Sequence, residues 1–432
     1  MEVIMLSFAQ GVRKLPRSFK LIVAGQSISA LGTLMVGIAL DLYVLHKTGS
    51  ALRFSFMLAL QVTAQIFFGP AIGEFVDSIR KKPVLVFFDG LRAVISMSLF
   101  VLVMAGGILG IYAIYALVVF YSGCEIFFDP ALTSLVPKMV DESELARANM
   151  VYGALSDVSY ALGPLIGAVA YGSVGLGGVF LVDGLTYVVA TILEIPIRIG
   201  DDERLAVKFE FCGSYRRGLR LIFSERRIKY LVINEILNHV FLFPFLSVFL
   251  PFLIIRVLHG PNYAYGLVGF IATLGSISSV LISARWERRF SMERNVSMAF
   301  FSLVGFAFFL IPFLFKGIYA IFSHAGGIWL SVYWGGANFE LYLFFAVYLA
   351  FYTTLFQSSL PEGVIARFYA SQATIQALSR VMGIILYGIL LQVFPPEVCV
   401  GVLILALFIN GAVHILYVRE FSSQTMVLKI RE

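Results

Sequence analysis

The stretch LIVAGQSISALGTLMVGIALDLYVL, residues 21–45, is the first of a series of apolar segments, each about 20 residues long, that fill most of the chain. A helix rises about 1.5 Å per residue and the hydrocarbon core of a bilayer is about 30 Å thick, so each segment is long enough to cross once. Because that core holds no water, every main-chain polar group must find its partner within the protein. The pattern predicts an all-α protein that crosses a membrane many times.

The composition excludes the soluble classes of protein. Of the 432 residues, 59% are hydrophobic and 13% are charged, and the mean hydropathy is +0.91, whereas about a quarter of the residues in a soluble domain are charged. The net charge of +6 arises in loops between apolar segments, which indicates membrane orientation rather than nucleic acid binding. The three cysteines, Cys124, Cys212 and Cys399, lack C-x-x-C spacing, so we expect no metal, no disulfide framework and no cofactor.

Twelve helical spans follow from the positions of the apolar segments. They are predicted at 21–45, 52–73, 83–106, 109–129, 148–171, 178–197, 230–256, 264–284, 296–315, 340–360, 368–394 and 397–418.

The longest charged break separates the first six spans from the last six. The predicted domains are a cytoplasmic interfacial arm at 1–20, a six-helix bundle at 21–197, a cytoplasmic linker at 198–229, a second six-helix bundle at 230–418 and a cytoplasmic tail at 419–432.

Basic residues are distributed unequally between the two sides of the membrane. With twelve spans, most lysines and arginines fall on the side of the amino terminus, and only Lys47, Arg53, Arg256 and Lys316 fall in loops on the other side. Because positively charged loops stay in the cytoplasm, both termini should be cytoplasmic. Trp329 and Trp334 lie in the long outer connection before span ten, where we expect an interfacial belt or a re-entrant piece.

The two predicted bundles share a short sequence at the same ordinal span. Span five carries ALSDV at residues 154–158 and span eleven carries ALSRV at 377–381, each preceded by a similar LAR or IAR triplet. The coincidence of sequence and position favours an internal duplication, with the bundles related by a pseudo-two-fold axis.

The loop after span two reads GEFVDSIRKK and contains Gly73, Asp77, Arg80, Lys81 and Lys82. A glycine lets helices approach closely, and a basic cluster holds a loop in the cytoplasm. This sequence resembles the signature loop of the major facilitator superfamily, except that Arg80 replaces the second glycine. The resemblance implies that the loop controls the cytoplasmic gate.

Further motifs are similar to the drug efflux branch of that superfamily, which contains macrolide and enterobactin exporters. They are GSALRF at 49–54, FFGPAIG at 67–73, FFDGLRA at 87–93, FFDPALTSLVP at 127–137 and LARAN at 145–149. The resemblance implies the major facilitator fold. It also implies that Asp129 pairs with the signature loop. Asp89 and Arg92 are one helical turn apart near the cytoplasmic end of their span, and for them and Asp129 we expect a gating or scaffold role, with direct substrate contact as the alternative.

Span five also carries Ser159, Gly163, Pro164 and Gly167, which resemble the superfamily's antiporter motif. Proline kinks a helix, and glycines permit close packing, here expected between the two halves. The alternative is a membrane proline that is merely tolerated.

Ionisable residues inside spans are the best candidates for a transport site, because each one costs about 2.5 to 3.5 kcal/mol to insert. Asp157 in span five and Arg380 in span eleven fall near the middle of the membrane. Glu235 and His239 share one face of span seven beside Asn238, and such a pair can carry a proton.

Asp41, near the outer end of span one, is a candidate proton port or cation contact. For Asp41 and for each of the other candidates, a purely structural role remains the alternative.

Together these features predict export of a lipophilic or amphipathic small molecule by alternating access, driven by inward proton movement. We expect a monomer in the cell membrane, in contact with substrate, protons and lipid but not with nucleic acid. The alternatives are a uniporter and a facilitator that moves lipids or lysophospholipids. A membrane-embedded enzyme is disfavoured because the sequence has no H-E-x-x-H, G-x-S-x-G or P-loop motif.

Overall fold

The computed structural model describes residues 15–77, 80–197, 226–359 and 362–422, and every regular element in these ranges is a helix. Within the described helices, some side chains are not described, among them those of Gly73, Asp77 and Asp129. The all-α class predicted from the sequence is confirmed for this part of the chain.

The described residues of the first half of the chain form five helices. They are α1 (Arg17–Thr48), α2 (Ala51–Asp77), α3 (Lys81–Met104), α4 (Ile111–Met139) and α5 (Glu142–Glu194). Helix α5 has 53 residues, which correspond to about 80 Å at 1.5 Å per residue and suffice for two crossings. Its path breaks at Gly175, whose φ of 65° and ψ of −174° are not helical. Spans five and six of the prediction are therefore the two arms of α5.

The second half begins with α6 (Arg226–Leu237), which continues directly into wider helical turns. These π-helical stretches are Asn238–Leu242, Phe245–Phe249 and Leu253–Val257. Pro244 lacks the N–H that would bond the Val240 carbonyl in an α-helix, and its ring would press against that carbonyl. The widened turns around Pro244 relieve this conflict.

Six further helices follow in the described residues of the second half. They are α7 (Asn262–Glu287), α8 (Met292–Val304), α9 (Lys316–His324), α10 (Gly326–Ser359), α11 (Glu362–Val393) and α12 (Pro396–Ser422). Two short helical pieces, Phe306–Leu310 and Ile311–Leu314, extend α8 to complete one span.

Ten helices in the described ranges are long and apolar enough to cross a membrane. One of the ten is α5, which is long enough for two crossings, and α2 contributes a shorter apolar stretch, Ala51–Thr63. The chain is a multi-pass membrane protein, and the count of twelve spans stays a prediction.

Cα packing divides the chain into two compact units. The first comprises Met1–Lys47 and Ala64–Phe209, and the second comprises Thr48–Thr63 and Glu210–Glu432. The domain boundaries predicted from the spans stay a prediction, and residues 1–14, 198–225 and 423–432 of the predicted arm, linker and tail lie outside the described residues.

The first unit has an apolar core near the start of α1. Leu15 and Phe19 are buried there against Leu85 of α3, Leu135 of α4 and Val151 of α5. Burial of about five such side chains stabilises the unit by roughly 1.5 to 3 kcal/mol each relative to exposure. The last residues of the predicted arm therefore pack as part of α1.

Candidate functional site

The polar centre of the second unit lies where α6 changes into the first π-helical stretch. Glu235, Asn238 and His239 are buried there, with 1%, 3% and 4% of their surfaces exposed. The π-helical turns begin at Asn238, and this departure from regular helix coincides with the polar side chains. The structure thus brings together the three candidates predicted on span seven.

Both carboxylate oxygens of Glu235 accept hydrogen bonds from side-chain amides. Asn238 Nδ2 donates to Oε1 at 3.4 Å, and Gln376 Nε2 of α11 donates to Oε2 at 3.3 Å. His239 Nδ1 lies 3.8 Å from Oε2 and donates to the Glu235 main-chain oxygen at 2.8 Å. Because a carbonyl oxygen only accepts, the proton of a neutral His239 is on Nδ1 and its Nε2 retains a lone pair.

Arg380 of α11 joins this centre through an aromatic ring. Its guanidinium carbon lies 4.9 Å from the centroid of the Phe243 ring, and that ring lies 4.5 Å from the His239 ring. The arginine is half-buried and interacts with the electron-rich face of Phe243, a contact that stabilises a cation away from water. Arg380 therefore belongs to the same cluster as Glu235 and His239.

Glycine allows α11 to approach the widened turns closely. A Cβ atom at Gly383 would overlap the carbonyl oxygen of Val240, the group that Pro244 leaves without its α-helical donor. The main chains of α11 and of span seven are thus in direct contact beside the polar centre.

This unit contains a second set of buried polar residues, for which the sequence predicted no role. Asn234, Asn410 and His414 are buried, with 0%, 3% and 0% exposed, and they join α6 to α12. Asn234 Nδ2 donates to Asn410 Oδ1 at 2.7 Å, and His414 Nδ1 donates to Asn234 Oδ1 at 3.0 Å. The signal available in the sequence was spacing, since Asn234 and Asn238, like Asn410 and His414, are four residues apart on a helix.

The first unit contains a separate buried cluster around Arg92. Its guanidinium donates to the Tyr187 hydroxyl at 3.3 Å and to the Tyr121 main-chain oxygen at 3.5 Å. Asp89, one turn earlier, is fully buried. The carboxylate of Asp183 accepts hydrogen bonds from Ser96 at 2.6 Å and from Tyr121 at 3.0 Å. These bonds of Arg92, Ser96 and Tyr121 tie α3, α4 and the second arm of α5 together. The gating or scaffold role of Asp89 and Arg92 stays a prediction.

The signature loop is described only in part. Gly73 and Asp77 lie at the end of α2, and Arg80 is exposed immediately before α3. Lys81 is buried, and Lys82 Nζ donates to the main-chain oxygen of Ile195 at 2.8 Å. Since the side chain of Asp129 lies outside the described part, its pairing with this loop stays a prediction.

The antiporter-like motif packs α5 against α1. Ser159 Oγ donates to the Ser27 main-chain oxygen at 2.9 Å. A Cβ atom at Gly163 would lie 2.6 Å from Leu34 Cβ, and one at Gly167 would lie 2.7 Å from Met35 Cα. These contacts, and Pro164 between them, lie within the first unit, whereas the sequence analysis expected the glycines to pack between halves. The motif removes side-chain volume where two helices of one unit meet.

Two candidates stand apart from these clusters. Asp41 is half-buried in α1, and Asp157 is exposed on the first arm of α5. Within the described ranges, no hydrogen bond or ion pair joins either carboxylate to another side chain. Their predicted roles stay predictions.

Comparison with known proteins identifies the family. A sequence profile of the Major Facilitator Superfamily matches residues 22–384. The chain therefore belongs to the major facilitator superfamily, as the sequence predicted.

Among relatives, the chain is 29% identical over 190 residues to macrolide efflux protein A of Streptococcus pyogenes, covering 42% of this chain and 44% of that protein. It spans less than half the length of that relative. It is also 23% identical over 292 residues to the MFS-type transporter YkuC of Bacillus subtilis, covering 63% and 66%. These similarities place the chain among relatives of drug efflux proteins.

Two solved structures share the fold over most of the chain. A bacterial homologue of the iron transporter ferroportin in its inward-facing state has a TM-score of 0.69 and 14% identity, covering 94% of this chain and 99% of that one. The nucleoside transporter NupG has a TM-score of 0.70 and 8% identity, covering 94% and 100%. At these identities the similarity establishes the fold alone.

Proposed function

We propose that this chain is a secondary active transporter that exports a lipophilic or amphipathic small molecule from the cell by alternating access. Inward movement of protons drives export, and Glu235 carries the proton. The proposal rests on one observation above all, a carboxylate 1% exposed within a membrane span, held by two amides beside His239 and Arg380. Intramembrane carboxylates in such surroundings are costly to insert and are typical of ion pathways.

The neighbours of Glu235 suit a group that gains and loses a proton. Two amide N–H groups stabilise the carboxylate, but they carry no charge that would hold it permanently ionised. A direct ion pair with an arginine would hold it in the ionised form. Arg380, which lies over the Phe243 ring that His239 also contacts, balances the charge. His239 places a second nitrogen lone pair, on Nε2, beside the carboxylate.

The relatives and the composition of the chain support the proposed substrate class. Relatives named for macrolide efflux make a macrolide the first compound to test. The chain has 41 phenylalanines and 20 tyrosines, and aromatic side chains can line a cavity for lipophilic compounds. Asp157 and Asp41 remain candidates for substrate or proton contact.

The test uses purified protein in liposomes loaded with a labelled macrolide. We expect transport to follow an imposed proton gradient, to stop when an ionophore collapses it, and to be lost in Glu235→Gln. Glu287→Gln, at an exposed carboxylate at the end of α7, is the matched control and should transport normally. Transport that ignores the gradient in the wild type would make the chain a uniporter.

The same liposomes separate the substrate alternatives. Labelled lysophospholipid is supplied in parallel with the macrolide. Gradient-driven movement of the lysophospholipid alone would contradict export of macrolides and support a lipid-moving facilitator.

A further inference from the structure

A continuous chain of side-chain hydrogen bonds leads to Glu235 from one direction. Ser297 Oγ of α8 lies 3.1 Å from His414 Nε2, and His414 Nδ1 lies 3.0 Å from Asn234 Oδ1. Asn234 donates to Asn410 at 2.7 Å, Asn410 donates to Asn238 at 2.9 Å, and Asn238 donates to Glu235 Oε1. Every donor in this chain therefore points toward the carboxylate.

Main-chain carbonyls fix that direction. Asn234 Nδ2 also donates to the Asn410 main-chain oxygen at 3.1 Å, and Asn410 Nδ2 donates to the Asn234 main-chain oxygen at 3.4 Å. A carbonyl oxygen only accepts, so reversing either amide would set two oxygens against each other. With Asn410 held, its Nδ2 must face Asn238 Oδ1, and Asn238 Nδ2 must face Glu235. Oε1 is consequently held as an acceptor.

The other carboxylate oxygen is bonded differently. Oε2 accepts from Gln376 Nε2, which lies on α11 and is half-buried. Within the ranges that the structure describes, this is the one side-chain hydrogen bond of Gln376, and it involves no main-chain carbonyl. The amide of Gln376 can therefore turn about its last side-chain bond and present its oxygen instead of its nitrogen.

We propose that Glu235 binds its proton at Oε2 and that Gln376 is the positioning residue that responds, changing from donor to acceptor as the carboxylate becomes a carboxylic acid. The inference rests on the proposed function, in which Glu235 carries the proton. A hydronium ion from the aqueous phase gives its proton to Oε2: one O–H bond of hydronium breaks, one O–H bond forms on Oε2, and a water molecule is released. The Gln376 N–H···Oε2 hydrogen bond is lost in the same step. The Gln376 amide turns by about 180° so that its oxygen accepts the new O–H.

The groups around Glu235 allow this exchange. His239 lies on the same helix, Tyr348 and Tyr352 of α10 interact electrostatically with the carboxylate, and Arg380 lies one turn beyond Gln376 on α11. Asn238 and Asn410, on the other side, are neutral. When Gln376 changes from donor to acceptor, the protonation of Glu235 therefore alters a hydrogen bond of α11. The same helix carries Arg380 and contacts the π-helical turns through Gly383.

The test measures hydrogen bonding directly in the full chain reconstituted in liposomes. Infrared difference spectra between acidic and alkaline pH are recorded on protein made with isotope-labelled glutamine, and separately with isotope-labelled asparagine. We expect a carboxylic acid band together with a change in a glutamine side-chain amide band. Both should vanish in Glu235→Gln, and the amide change alone should vanish in Gln376→Met.

A second measurement connects the spectra to transport. Losing a hydrogen bond to a charged group corresponds to about a tenfold effect, so gradient-driven transport in Gln376→Met should fall about tenfold. Ser297→Ala, at the far end of the same network, should leave the glutamine band unchanged.

The two proposals fail in different ways. The other carboxylates of the chain also contribute carboxylic acid bands, so the decisive signal is the band present in the wild type and missing in Glu235→Gln. If no carboxylic acid band is lost in Glu235→Gln, the proton-carrying role of Glu235 itself is refuted. A different result would overturn only the assignment to Gln376. In that case a carboxylic acid band is lost in Glu235→Gln, but the wild-type spectra show changes in asparagine amide bands instead of a glutamine band. The asparagines that bond toward Oε1 would then be the residues that reverse. The wild-type spectra decide this even if Gln376→Met does not fold.

Discussion

At the scale of single residues, the second unit buries polar groups that satisfy one another. Asn234, Asn410 and His414 exchange hydrogen bonds within the membrane-spanning part of the chain, where no water replaces a lost partner. The His414 ring also stacks on Phe300, with centroids 4.1 Å apart. Each of these residues therefore depends on its neighbours for its stability.

Asn410→Leu should lower the stability of the protein. The substitution leaves Asn234 and Asn238 with unpaired buried amide groups, a loss of about 1 to 3 kcal/mol for each unsatisfied group. We expect a lower thermal midpoint in detergent, measured by intrinsic fluorescence. Asn149→Leu, at an exposed position of α5, is the matched control and should melt like the wild type. Equal midpoints for the two variants would show that the network does not stabilise the fold.

At the scale of helices, close approach and widened turns shape the polar centre. Gly383 brings the main chain of α11 against Val240, and Pro244 interrupts the hydrogen-bond ladder at the same level. In the first unit, Gly163 and Gly167 bring α5 against α1 in a comparable way. In each unit the helix corresponding to span five or span eleven thus packs through glycine on the first span of its half, which supports the predicted duplication.

Gly383→Ala should disrupt folding although alanine favours helices. The added Cβ would overlap the Val240 carbonyl, a main-chain atom that a side-chain movement cannot displace. We expect strongly reduced yield of monodisperse protein in size-exclusion chromatography. Gly336→Ala on α10, where a Cβ would meet nothing within 4 Å, should be neutral or stabilising by up to about 1 kcal/mol. Normal yield of Gly383→Ala would contradict the close packing of α11.

Pro244→Ala tests the role of the widened turns. Alanine restores the missing N–H and removes a ring that costs about 3 kcal/mol inside a helix, so the thermal midpoint should rise. Regular turns would rotate His239 and Phe243 relative to Glu235, so transport should fall. The two measurements are made on the same preparation. A variant that is both more stable and fully active would show that the π-helical turns have no part in transport.

The connection before predicted span ten, residues 316–339, is more helical than the sequence predicted. The sequence predicted an interfacial belt or re-entrant piece before span ten, but α9 occupies part of it and α10 already begins at Gly326. Trp329 is 69% exposed, as a belt residue should be. Trp334 is fully buried, 4.7 Å from the Phe313 ring, so its assignment to the belt was wrong. Amphipathic aromatic residues suit both an interface and a core, and only packing distinguishes the two.

At the scale of the whole molecule, the unequal distribution of basic residues predicts both termini in the cytoplasm. The test uses a variant without cysteines to which one cysteine is returned at an exposed position. Gly317→Cys in α9 should react with a membrane-impermeant maleimide in intact cells, whereas Arg289→Cys, after α7, should react only after permeabilisation. The reverse pattern would invert the orientation.

The amino-acid sequence alone was enough to predict the class of the protein and part of the candidate site. Long apolar segments leave a chain no alternative to helices in a membrane, and the cost of burying charge singles out Glu235, His239 and Arg380 regardless of their partners. Gly73 and the basic loop after it were enough to indicate the superfamily.

Which polar groups contact one another could be learned only from the packing of the helices. An uncharged polar residue costs less to insert into a membrane than a charged one, so the sequence did not mark Gln376, Asn410 or Ser297 as candidates. These residues come from three different helices and complete the surroundings of Glu235 and His414. The same holds for the antiporter-like glycines, whose sequence predicts close packing but not the partner, which is α1. Hydrogen bonds and van der Waals contacts act over a few ångströms, so they depend on the distances between helices that are remote in sequence, and those distances are set by packing.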